Sequence, residues 1–452
     1  MISLPGLTPN ASLLVLVLIA VVGLVVLVAR FKLNAFLALI LASLFVGLGS
    51  GMKLPLIAKA FQEGVGNTLG FIAVVVGLGT MLGKMLAESG GAEVIATRFI
   101  QMFGARRLPW TLVLVAFVVG LPVFFGVGVV LLIPIVFTLA RETKTPLLAL
   151  GLPLVAGLSV SHGLVPPHPG PLVAIEKLGA DTGKTILYAA IIGFPAALVA
   201  GPLFAKWIVP RVPVGLGGIG ERLIQPASVA RKPGFALTLF TILLPVLLML
   251  VATVGDVALA KDSAARSSAQ FIGSPLVALL AAVLFSFYSL GRRCGLGRGQ
   301  ILKFTEECVG PAAGIILVVG AGGGFSKVLE YCGAADAIAG LATGLNLSPL
   351  LLGWLVAALI RIAVGSATVA ITLGSAMLAP VAAANPGTSP ELLVIALGAG
   401  SLILSHLNDG GFWFVKEYFN MTVPETLRTW TVVETILAVV ALLFTLLLDA
   451  LL

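Results

Sequence analysis

Long apolar segments alternate with short polar connections along the whole chain. They run over residues 13–29, 35–51, 66–87, 109–140, 146–171, 185–207, 235–255, 275–290, 309–329, 349–384, 392–414 and 430–452. A helix needs roughly 20 apolar residues to cross a bilayer, so the pattern predicts an all-α integral membrane protein with many spans. Segments 109–140 and 349–384 exceed one comfortable span. Small residues sit at their middles, Gly126 and Gly128 in one and Gly365, Ser366, Ala367 and Thr368 in the other. Each is expected to be a re-entrant helical hairpin. Segments 146–171 and 391–415 are rich in helix breakers or polar residues and are expected to be broken helices.

Composition narrows the class. Of the 452 residues, 59% are apolar and 10% charged, against about 25% charged in soluble domains. A water-soluble globular protein and a single-span receptor are both excluded, leaving a polytopic channel, transporter or intramembrane enzyme. The net charge of +8 is spread over short loops, the mark of cytoplasmic loop bias and not of a nucleic-acid partner. Cys294, Cys308 and Cys332 give neither a disulfide framework nor a paired metal motif. The first ten residues carry no Lys or Arg, and the apolar run after them is too long for a signal-peptide core, so it is expected to stay as the first span.

The chain also repeats itself. Residues 65–96 (VGNTLGFIAVVVGLGTMLGKMLAESGGAEVIA) lie over 309–339 (VGPAAGIILVVGAGGGFSKVLEYCGAADAIA), and the match continues through Pro109 with Pro349, Gly126 to Gly128 with Ser366 to Thr368, and Ser161-His162 with Ser405-His406. Loop charge orients the copies. Arg98, Arg106 and Arg107 follow the first core segment, whereas its counterpart at 340–348 is uncharged. Lys53, Lys59 and Glu63 precede the first copy, against Arg292, Arg293, Arg298 and Lys303 before the second. Equivalent loops therefore fall on opposite sides. The expectation is two inverted repeats, 1–208 and 235–452, each with about five spans and one hairpin, joined by a cytoplasmic connector at 209–234, with both termini outside. Inverted repeats with interrupted helices are the build of secondary transporters, which bind substrate near the midplane.

Candidate chemistry gathers at the interruptions. Ser161 to Pro171 (SHGLVPPHPGP) holds four prolines and two histidines, and Ser405 to Gly411 (SHLNDGG) is its counterpart. A regular helix is not expected to run through the first. All three histidines, His162, His168 and His406, lie in these two stretches. Histidine titrates near neutrality, at about 6.5, which suits a proton carrier or a donor to an anion, with a purely structural role as the alternative. The spacing of His162 and His168, with prolines between and no third ligand, does not suit zinc. Asp409 is either a functional intramembrane acid or a helix cap. Arg361 either meets an anion or pairs with an acid. Gly320 to Gly324, with Gly322 and Gly323 at its centre, serves close helix packing or a backbone site. Helix N-termini at the tips and breaks favour an anion, and Ser, Thr, Asn and His side chains beside them suit a polyhydroxylated carboxylate. The substrate-binding set is therefore Gly126, Gly128, Ser161, His162, His168, Gly322, Gly323, Arg361, Ser366, Thr368, Ser405, His406 and Asn408. No metal, cofactor or enzymatic activity is expected.

The strings GKMLAESGGAEVIAT (83–97), SHGLVPPHPGP (161–171), RIAVGSATVAIT (361–372) and SHLNDGGFWFVKEYFNMTVPETLRTWTVVET (405–435) closely resemble, in order, the gluconate permease family of sugar-acid:proton symporters. The resemblance runs from about Arg30 to the C-terminus. It implies a homodimer of the ion-transporter fold in the bacterial inner membrane, with a moving transport domain that imports gluconate or a related aldonate with protons. It also implies an acid after Phe124-Phe125, where this chain has Gly126. That leaves His162, His168 and Asp409 as candidates for proton coupling. A sodium-coupled di- or tricarboxylate carrier of the same fold is the alternative.

Overall fold

The structure, a computed structural model, describes residues 8–31, 33–104, 107–214, 231–260, 262–334, 337, 348–406 and 409–452. Arg106, Asn346, Asn408 and most of the expected connector at 209–234 lie outside the described residues. Among the described residues every regular element is a helix. The first half of the chain contributes α1 (Pro9–Ala29), α2 (Ala35–Gly49), α3 (Leu54–Glu88), α4 (Gly91–Phe103), α5 (Leu108–Gly120), α6 (Phe125–Thr143), α7 (Leu147–Leu164), α8 (Pro169–Leu178) and α9 (Thr182–Leu198). A π turn at Val199–Leu203 carries α9 onward to Arg211. The second contributes α10 (Phe235–Ala258), α11 (Ala264–Gly273), α12 (Pro275–Ser286), α13 (Arg298–Glu307), α14 (Val309–Tyr331), α15 (Pro349–Val364), α16 (Ala367–Ala384), α17 (Pro390–Gly400), α18 (Gly410–Tyr418) and α19 (Val423–Leu451).

Among the described residues, eight helical stretches are long and apolar enough to cross a membrane, and five shorter apolar helices accompany them. The chain is thus an all-α, multi-spanning membrane protein. Large apolar side chains such as Val22, Phe45, Val257 and Leu443 are exposed, as lipid-facing positions should be. At the centre, α7 and α17 are apolar on all sides and buried almost throughout. Each runs into an interruption, so the most enclosed helices of the molecule end at its most polar stretches.

Local chemistry explains the interruptions. Between α5 and α6 the break is Leu121 to Phe124. Pro122 cannot donate to the helical ladder, which tightens there into bonds from Leu121 N to Val118 O and from Val123 N to Gly120 O. Gly126 and Gly128, expected at the middle of this break, instead lie in the first turn of α6: the proline, not the glycines, sets the stop. Between α15 and α16, Gly365 takes the left-handed conformation that closes a helix (φ 78°) and Ser366 caps the next, its hydroxyl accepting from Val369 N. Between α7 and α8, Pro166 and Pro167 stop the ladder and Pro169 opens α8. Ser161 and His162 differ from expectation: α7 continues through them to Leu164, because the prolines begin only at 166. Likewise Lys59 and Glu63, read as loop, belong to α3. That helix starts at Leu54 with Pro55 in its first turn and includes a polar turn that hydropathy alone places outside it.

The interruptions free carbonyls, and side chains, two of them from distant breaks, occupy them. His168 Nε2 donates to Gly120 O at 2.7 Å, His406 Nε2 to Ile362 O at 3.0 Å, and Arg361 to Gly365 O at 2.5 Å. A carbonyl only accepts, so both imidazoles carry their hydrogen on Nε2.

Candidate functional site

The interruptions α5/α6, α15/α16 and α17/α18 open onto one cavity of about 430 Å³, within the range of small-molecule sites. Phe124, Phe125 and Gly126 come from the first break, Gly365 to Val369 from the second, and Asp409 to Gly411 from the third. Three helix N-termini, those of α6, α16 and α18, thus border it. Each exposes amide hydrogens and the positive end of a helix dipole to an anion. Continuous helices close the wall. From α7 come Ser159 and His162, three residues apart and so on one face; from α19 come Trp430 and Glu434, four apart.

Arg361 and Asp409 form the electrostatic centre. The guanidinium, 4% exposed, meets Asp409 Oδ2 at 2.5 Å. Asp409 also caps α18, accepting from Gly411 N at 2.9 Å, and accepts from the Ser405 hydroxyl. Of the two readings of this acid, the structure shows the cap, together with the ion pair to Arg361. Trp430 Nε1 donates to Ser405 Oγ at 2.7 Å, and Thr431 Oγ1 to Ser405 O at 2.5 Å. A buried ion pair is held stably when its remaining lone pairs and hydrogens are satisfied; here Ser405, itself held by Trp430, and the Gly411 amide serve Asp409, and Gly365 O accepts from Arg361.

The exceptions mark the cavity. Four buried side-chain atoms among the described residues have no hydrogen-bond partner: Thr68 Oγ1, His162 Nδ1, Arg361 Nε and Glu434 Oε1. Three of the four belong to residues lining this one cavity. Buried polar groups are nearly always paired, so two nitrogens and one carboxylate oxygen left unpaired on residues that line one cavity single out its wall as a polar one.

Of the residues singled out from sequence, Gly126, His162, Arg361, Ser366, Thr368 and Asp409 line the cavity. Gly128, Ser161, His168, Gly322, Gly323, Ser405 and His406 do not. Ser161 Oγ donates to Phe117 O, bracing α7 on α5. His168 faces a small void behind Phe124; its ring centroid is 5.0 Å from that of His162. Gly128 lies against Leu158. Gly323 is where α14 crosses α3: a Cβ there would stand 2.1 Å from Thr68 Oγ1 and 2.6 Å from Gly64 O. At Gly126 a Cβ would meet the Phe414 ring at 3.0 Å, so an acid at this position requires that ring to turn aside. Sequence reasoning missed Ser159, Phe414, Trp430 and Glu434. The available signal was Glu434 itself, the only charged residue between Arg428 and Asp449.

Comparison with known proteins bears on the whole chain. A family model described as "GntP family permease" matches residues 12–451. A gluconate permease of Pseudomonas aeruginosa is 50% identical over 445 residues, covering 98% of this chain and 99% of that protein. A gluconate permease of Zymomonas mobilis is 49% identical over 445 residues, with the same coverage. Among solved structures, the YdaH transporter of Alcanivorax borkumensis aligns with a TM-score of 0.61 at 20% identity, covering 88% of this chain and 89% of that one; this likeness concerns the fold.

Proposed function

Because the chain belongs to the GntP family of permeases, we propose that it is a secondary active transporter of the bacterial inner membrane that imports gluconate or a related sugar acid together with protons. The single observation that carries the reading is the cavity: three helix N-termini and a buried arginine border it, and three of its lining residues carry unpaired polar atoms. The carboxylate of the substrate is drawn to the amides of α6, α16 and α18 and to Arg361. Its hydroxyls find Ser366, Thr368 and His162. The two relatives named above are both called gluconate permeases. The test is uptake of labelled gluconate into proteoliposomes with an alkaline interior. Concentrative uptake that collapses with the pH gradient is expected. Uptake that follows sodium at constant pH transfers the protein to the sodium-coupled alternative, and no uptake removes the gluconate reading.

The finer architecture belongs to the same proposal. The order of elements repeats: a long helix (α3, α14), a helix–break–helix (α5/α6, α15/α16), a second one (α7/α8, α17/α18) and a closing span (α9, α19). This order supports two copies in opposite orientations, with the substrate between them near the bilayer midplane. Alternating access follows when the broken helices move as a body against the remaining spans. Single cysteines at Arg106 and Asn346 are expected to react with an impermeant thiol reagent from opposite faces of the membrane. Reaction from one face would refute the inversion.

A further inference from the structure

Resting on that reading, we propose that Glu434 carries the transported proton. Its side chain projects from the continuous helix α19 into the cavity wall, 1% exposed, with Oε1 unpaired and Ser159 of α7 lining the same wall. The charged and titratable groups facing it are Arg361 from α15 and Asp409 from the cap of α18, with His162 on α7 across the same cavity. From α9 and α17 no charged side chain contributes to its surroundings.

The other acids and bases are already engaged. Asp409 holds Arg361 through one oxygen and caps α18 with the other. His168 and His406 donate to helix-end carbonyls. A protonated His162 would place a second cation in the field of Arg361, whereas a protonated Glu434 is neutral. Charge then decides the coupling. Arg361 and Asp409 cancel, so an ionised Glu434 leaves the empty wall at one negative charge, and an arriving monoanion makes two. With Glu434 protonated the empty wall is neutral and the loaded cavity carries only the substrate's charge. Proton and sugar acid therefore favour each other's binding, and by linkage each does so to the same degree. The step balances: the carboxylate takes one proton facing outward and releases it inward, while the substrate crosses unchanged. One proton with one monoanion moves no net charge, so the membrane potential contributes nothing to this cycle.

The experiment compares wild type with Glu434→Gln in proteoliposomes, measuring labelled-gluconate counterflow at equal pH and accumulation under an imposed pH gradient. Wild type is expected to accumulate about tenfold per pH unit. Glu434→Gln, permanently neutral, is expected to exchange gluconate within about tenfold of the wild-type rate, yet to reach no accumulation above the outside concentration. Accumulation at the wild-type ratio would overturn the proposal. So would a Glu434→Gln protein that is monodisperse and melts like wild type but neither binds nor exchanges gluconate, since the carboxylate would then serve binding itself. Should Glu434→Gln not fold, Glu434→Asp decides: retained accumulation with a displaced pH midpoint supports the assignment, and an unchanged midpoint refutes it. Failure of wild type to transport gluconate strikes the functional reading instead, which keeps the two outcomes apart.

Discussion

Arg361→Gln is expected to abolish gluconate uptake, by at least a hundredfold, and to lower the melting temperature of the detergent-solubilised protein. Two losses combine. The substrate carboxylate loses the buried cation of the cavity, and Asp409 is left a buried anion without its partner, a situation that typically costs about 3–5 kcal/mol. Asp409 retains Ser405 and the Gly411 amide, which places the stability cost at the lower end of that range. A second substitution separates the effects. Arg361→Gln combined with Asp409→Asn removes both charges, so melting is expected to recover substantially while uptake stays absent. Uptake by Arg361→Gln within a few-fold of wild type would show that the helix N-termini alone bind the anion.

Gly323→Leu is expected to prevent recovery of folded protein, read as loss of the monodisperse peak in size-exclusion chromatography. At the α3/α14 crossing the backbones touch from both sides. A Cβ on Gly64 would stand 2.3 Å from Gly323 O, and one on Gly323 2.6 Å from Gly64 O. Backbone cannot swing aside as a long side chain can, so even Gly323→Ala should cost about 1–3 kcal/mol, the usual range for overpacking. The control is Gly66→Ala on the same α3 helix, where a Cβ would meet nothing within 4 Å. Alanine favours a helix over glycine by roughly 0.5–1 kcal/mol, so that variant should be no less stable than wild type. Normal recovery of Gly323→Leu would mean that the two helices are not held at this distance.

These residues also show what a sequence exposes and what it hides. The helical membrane class and the existence of the interruptions were legible, because prolines and glycines inside apolar runs act through local backbone rules. The exact stop between α5 and α6 was not. Gly126 and Gly128 look like a hinge, yet a helix tolerates glycine far better than proline, and Pro122 decides. His162 and His168 were indistinguishable as letters. Their roles part only in three dimensions, where α7 turns one toward the cavity and the proline break turns the other to Gly120 O. Ser405 was singled out for the substrate, but its hydroxyl lies between Trp430 and Asp409. Glu434 was hidden for the opposite reason. It interrupts nothing, since one acid in a strongly apolar helix barely alters hydropathy, and its significance depends on Arg361 and Ser159 arriving from distant parts of the chain.

A helix cut open inside a bilayer normally leaves bare oxygens that hydrate and offer stepping stones to small cations. Here His168, His406 and Arg361 stopper such oxygens at Gly120, Ile362 and Gly365. At these three breaks the oxygens are thereby insulated, and sodium or hydronium finds no foothold on them. For a carrier powered by an ionic gradient, that insulation protects the power source: a leak through the breaks would dissipate the gradient without moving any cargo.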